Sequence, residues 1–155
     1  MEPNEKTRGP SYYNSEYEHG VDDKRRLQMP AKWRPEESGT ELTLVLWPKA
    51  IQGPCIRVLP PEKMDELMKE IEAMPRGDEK KGVLKRFIGR QSVQVTLDSA
   101  GRICIPEGMA KAAGIGNKAI LVGLLDRFEI WSPERYAKVA SADDALAPEA
   151  FKLMD

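Results

Sequence analysis

Hydrophobic and polar positions alternate in the same order at two places along this chain. Val93, Val95 and Leu97 recur every second residue, and after a short polar break Ile103 and Ile105 resume the alternation. Period-two patterning of this kind predicts two strands joined by a turn. Shifted by 76 residues, YEHGVDDKRRLQMP (17–30) lies over VQVTLDSAGRICIP (93–106). Val21, Leu27 and Met29 then meet Leu97, Ile103 and Ile105, while Asp22, Arg26 and Pro30 meet Asp98, Arg102 and Pro106. Further on, with a length change of four residues, CIRVLPPEKM (55–64) lies over RFEIWSPERY (127–136). One more apolar run stands between these landmarks in each copy, LTLVLW (42–47) and AILVGLL (119–125). An order of features that occurs twice marks a duplicated unit.

Each copy predicts strand, turn, strand, a short helical or irregular segment, strand, turn, strand and helix. The fold class expected is mainly β with short helices (α+β), built from two tandem pseudo-symmetric units. The second turn reads Asp-Ser-Ala-Gly, with an aspartate that can cap the turn and a glycine that supplies positive φ. The first copy has Arg25 where Gly101 stands. A positive φ there would cost Arg25 about 1 kcal/mol. Pro61 and Pro133 suit the first position of a helix, each followed by a glutamate that complements the macrodipole. Met64, Leu67, Met68, Ile71 and Met74 then follow helical spacing to about residue 74. The organisation expected is a disordered tail over 1–11, a first unit over 12–75, a linker over 76–82, a second unit over 83–142 and a C-terminal segment over 143–155. Residues 140–148 are expected to separate a short last helix, PEAFKLMD, from the helix before it.

Charge sharpens this picture. The 155 residues carry a net charge of −1, but the cations are concentrated. Residues 21–35 hold five cations against two acids, and residues 76–102 hold seven against three. Clustered cations in a near-neutral chain are a footprint of polyanion binding. The chemistry of an enzyme is missing from the sequence. One histidine, His19, sits at a strand position, and Cys55 and Cys104 lie inside apolar runs, where a small buried apolar role is expected. These give neither zinc spacing nor a nucleophile–base pair. No phosphate loop or dinucleotide glycine pattern occurs, so the expectation is no enzyme, no cofactor, no metal and no small-molecule substrate. No apolar run approaches the roughly 18 residues of a transmembrane helix, and the start of the chain lacks an apolar signal core. The expectation is therefore no membrane partner and a cytoplasmic location.

The Asp-x-x-x-Arg pairs have a physical logic. Across a tight hairpin, Asp22 can brace Arg26, and Asp98 can brace Arg102. A braced guanidinium loses less entropy when it binds a phosphate or a guanine edge. The same pairs could equally be internal salt bridges that hold the hairpins. Lys24, Arg25, Lys32 and Arg34 are surplus cations of the first copy, and they lean toward an anionic partner.

VDDKRRLQMPAKWR (21–34) and LDSAGRICIP (97–106), with RFEIW (127–131) downstream, resemble the MraZ family, bacterial transcriptional regulators built from two tandem SpoVT–AbrB-type units. The match covers about residues 13–140. The resemblance implies a swapped-hairpin β-barrel within one chain and assembly into rings, hence a homo-oligomer. It also implies binding of double-stranded DNA, at short tandem G-rich repeats upstream of the division and cell-wall gene cluster, usually with repression. The location implied is over the nucleoid. The family's DNA-contacting arginine falls on Arg26, with Arg102 its counterpart. The set expected to serve DNA binding is Asp22, Lys24, Arg25, Arg26, Lys32, Arg34, Asp98 and Arg102. The family's usual Lys-Gly-Arg is here Lys24-Arg25-Arg26, and its usual Phe-Gly opening is Tyr13-Asn14-Ser15. The alternative retained is an antitoxin-like or scaffold protein that binds a protein partner.

Overall fold

A computed structural model describes residues 12–48 and 52–155. The tail expected over 1–11 lies outside the described residues. The elements are β1 (Glu16–Gly20), β2 (Arg26–Gln28), β3 (Leu42–Trp47), β4 (Cys55–Leu59), α1 (Pro61–Glu72), α2 (Glu79–Arg90), β5 (Ser92–Val95), β6 (Arg102–Cys104), α3 (Glu107–Ala112), β7 (Lys118–Gly123), β8 (Phe128–Trp131) and α4 (Pro133–Phe151). The architecture is α+β around a sheet, and both copies of the predicted strand set are present.

The strands of the two copies interleave. Six form one antiparallel sheet in the order β1-β7-β8-β4-β3-β5, and β2 pairs with β6 in a separate two-stranded ribbon. Exchanging the copies turns this order into itself. Each copy's first strand therefore pairs with the other copy's third, β1 with β7 and β5 with β3. Like strands meet at the centre, where Leu27 faces Ile103 in the ribbon and Arg57 faces Glu129 between β4 and β8. Both pairs join equivalent positions of the two copies, so they mark a pseudo-twofold axis. The ladder ends at β1 and β5 and is open, rather than closed into the barrel implied by the resemblance.

The uninterrupted apolar run of β3 follows from burial on both faces. Leu42, Leu44 and Leu46 point into the main core, which also holds Leu27, Met29, Trp33, Ile103, Ile105 and Phe128. Val45 points the other way, onto Leu59 of β4 and onto Ile71 and Ile88 of α1 and α2. The ribbon thus closes one side of the sheet and helices cover the other. Around β7 the same division holds. Ala119 and Leu121 enter the main core, and Ile120 packs with Trp131 toward Tyr136 and Val139 of α4.

Two expectations are corrected, the last helix and the burial of Cys104. Within the span expected as linker over 76–82, α2 starts at Glu79, because Asp78 is a helix cap whose carboxylate accepts from the Lys80 amide at 2.9 Å. Lys81 reaches back to the carbonyls of Glu72 and Met74, so it satisfies the end of α1 while starting α2. Residues 140–148 do not separate a last helix: α4 runs unbroken to Phe151 through Pro148. The alanines of this stretch favour helix strongly enough to carry the proline. Cys104 is exposed rather than buried, because the period of two that sends Ile103 and Ile105 inward sends it outward.

Candidate nucleic-acid interface

The interface candidate is the β2–β6 ribbon and the two turns that lead into it. In the first turn Asp22 organises everything. Its Oδ1 accepts from the amides of Lys24 at 3.0 Å and Arg26 at 2.8 Å, and its Oδ2 accepts from Arg26 Nε at 2.7 Å. The Asp22 amide donates to the Arg26 carbonyl at 3.1 Å, and the Arg25 amide donates to the Asp22 carbonyl at 2.9 Å. The second turn repeats each bond. Asp98 Oδ1 accepts from the amides of Ala100 and Arg102, both at 2.9 Å, and Oδ2 accepts from Arg102 Nε at 2.9 Å. An aspartate four residues before an arginine is thus what this backbone requires, both as turn cap and as brace.

The ribbon brings the two braced pairs together. Arg26 stands opposite Cys104, and Arg102 opposite Gln28. Arg102 Nη1 also lies 4.0 Å from Asp22 Oδ2, so Asp22 faces both arginines. Each guanidinium keeps about a third of its side chain exposed (34% for Arg26 and 32% for Arg102), enough to be presented while held. The amide bond from Arg26, followed by that residue's side-chain bond and charge, holds the Asp22 carboxyl below its usual range. Arg102 does the same for Asp98. The bond to Asp22, with the added charges of Asp98 and Asp23, pushes Arg26 further toward its protonated form. The cluster carries fixed charge across the neutral pH range.

The remaining expected residues separate into two kinds. Lys24 at the turn tip and Lys32 on the 3-10 turn Ala31–Trp33 are exposed. Arg25 and Arg34 fold back onto the protein. Arg25 Nε donates to the Ile105 carbonyl at 3.0 Å, and Arg34 Nε donates to the Met29 carbonyl at 2.9 Å. Arg25 does adopt positive φ, at 62°, matching 79° at Gly101. Sequence reasoning missed Gln28 and Cys104. Gln28 Nε2 donates to the Ala100 carbonyl at 2.8 Å, and Cys104 Sγ donates to the Lys24 carbonyl at 3.5 Å. Their equivalence at the 76-residue offset was the available signal.

The family model described as "MraZ protein, putative antitoxin-like" matches residues 88–151. The chain is 37% identical to the transcriptional regulator MraZ of Roseiflexus sp. (strain RS-1) over 85% of its own length and 89% of that protein's. It is 32% identical to the protein of the same name from Rickettsia rickettsii (strain Sheila Smith), over 87% and 91% of the two chains. Against the Leuconostoc citreum (strain KM20) protein of that name the identity is 31%, over 80% and 83%.

Proposed function

The chain belongs to the MraZ family, and from that membership we propose that it is a transcriptional regulator that reads double-stranded DNA with its paired hairpins. Transcriptional regulators are not a class of enzyme. The observation that carries the reading is the ribbon on which two aspartate-braced arginines stand diagonally on either side of the Leu27–Ile103 pair. A two-stranded ribbon fits the major groove of B-DNA, and a braced arginine suits the O6 and N7 atoms of guanine. Arg26 and Arg102 read base edges, with Asp22 and Asp98 as their braces. Lys24 and Lys32, both exposed, flank them with positive charge for the phosphates.

A protomer of net charge −1 binds DNA weakly by itself. We assign the chain to a ring of copies whose linked hairpins raise avidity when the DNA offers matched spacing. The target is a set of tandem direct repeats upstream of the division and cell-wall gene cluster. Occupancy occludes the promoter, and the protein acts over the nucleoid. Among the described residues no helix is long and apolar enough to cross a membrane.

Gel shifts against the chain's own upstream DNA over a salt series test this reading. Arg26→Ala is expected to cost about 1–3 kcal/mol on the cognate repeats and to relax specificity. Lys24→Ala is expected to weaken binding to every sequence and to flatten the salt slope by about one unit. An Arg26→Ala protein that shifts the repeats with full affinity overturns the assignment. The antitoxin-like alternative draws on the apolar groove lined by Met64, Leu67, Met68, Ile71 and Ile88, which would seat an apolar segment of a small toxin. It gains if wild type fails to shift the repeats at low salt.

A further inference from the structure

Met29 and Ile105 hold equivalent places in the two copies, each just before a proline. Each carbonyl receives an arginine Nε, but the two arginines come from different places. At Ile105 the donor is Arg25, the tip residue of the first turn. At Met29 the donor is Arg34, which lies nine residues beyond Arg25 and has Ala110 as its counterpart in the second copy. The backbone repeats the connection: Ile105 donates its amide to the Arg25 carbonyl at 2.9 Å, and Met29 donates to the Gly101 carbonyl at 3.0 Å. The first tip is therefore tied twice to the opposite strand, by its backbone carbonyl and by its own guanidinium, whereas the second is tied once by backbone and covered by the Arg34 guanidinium, which is itself bonded to Met29 of the facing strand.

Gly101 has no side chain, and Arg34 lies where one would be. A Cβ built on Gly101 would stand 2.5 Å from Arg34 Cζ and 2.7 Å from its Nε. Gly101 is buried as a result. At the other tip the short Ala110 stands at the place of a covering arginine, and Arg25 supplies the guanidinium itself at the cost of its positive φ.

We infer that Arg25 and Arg34 are matched positioning residues rather than phosphate ligands, and that an arginine within the turn and an arginine laid over a glycine are interchangeable. Each fixes the tip immediately before Arg26 or Arg102, and so sets the entry of that arginine into its strand. This inference rests on the DNA-reading proposal for its purpose but not for its geometry.

The test is a cycle of Arg34→Ala, Gly101→Arg and the double variant, followed by thermal unfolding and by affinity for the upstream repeats. Arg34→Ala is expected to weaken repeat binding about tenfold, as for the loss of a hydrogen bond from a charged donor. Arg34→Lys, which keeps the charge but lacks the planar Nε–H, is expected to weaken it equally. Gly101→Arg alone should lower the melting temperature, because Arg34 fills the space. In the Arg34→Ala background the same substitution should raise it and restore binding, since the second turn then copies the first. Additive effects without this reversal of sign, or full rescue by Arg34→Lys, overturn the inference. If wild type fails to bind the repeats while the reversal persists in melting, the DNA reading falls and the matched pair stands.

Discussion

Asp22 and Asp98 each collect two amides and one guanidinium, and this fixes the acid response of the hairpins. Both carboxyls are held below their usual range, chiefly by the amides of Arg26 and Arg102. A folded-state pKa below the unfolded one adds stability that is complete above the unfolded value, near pH 4, and is lost as pH falls through the folded value. Asp22→Asn and Asp98→Asn should therefore melt below wild type by a constant interval from pH 6 to 8. The interval should shrink under about pH 4, and melting curves over a pH series check it. An interval that grows on acidification would contradict the bracing. The spacing Asp-x-x-x-Arg, seen twice, made these four residues legible in the sequence. The reach of Arg34 over Gly101 was not legible, because it joins the two copies across the ribbon and has no counterpart at Ala110.

At the level of elements, the β4–β8 pairing carries an ion pair at its centre. Arg57 Nη2 lies 2.9 Å from Glu129 Oε2, with both side chains largely buried. The Trp131 indole N–H donates to Glu129 Oε1 at 3.0 Å, and the Arg57 guanidinium stands 4.2 Å over the Trp47 ring. Removing one member leaves a buried charge alone. Glu129→Leu is thus expected to cost about 3–5 kcal/mol in denaturant unfolding, and adding Arg57→Met should recover most of that. A double variant as unstable as the single would show that the pair matters through its packing rather than its charge. Periodicity revealed β3, β4, β7 and β8 because apolar runs mark strands buried on both faces. It did not reveal α2, whose start hides in the charged stretch GDEKK. Nor did it reveal the continuity of α4, since a proline and an acidic pair read as a break while alanine content decided the outcome.

The duplicated unit was legible as a repeat, but period-two patterning does not say which copy supplies a strand's neighbour. Interleaving has a direct consequence for the whole molecule. Neither half can complete its own ladder, because β1 needs β7 and β5 needs β3. Residues 12–75 and 76–155 produced separately should be largely unfolded or self-associated by circular dichroism and light scattering. Mixed, they should form a one-to-one complex with the secondary structure of the intact chain. Two halves that fold as stable monomers would contradict the exchange of strands.

The pair on the pseudo-twofold axis also bears on the history of such a chain. A unit that associates with itself meets its own residue across the axis, so whatever stands there must tolerate its own likeness. Here the two places hold Arg57 and Glu129. Two first halves would bury arginine against arginine, and two second halves would bury glutamate against glutamate. Once those residues diverged, neither half could return to life as a symmetric dimer without changing again. The fusion acts as a ratchet, and the buried ion pair is its pawl.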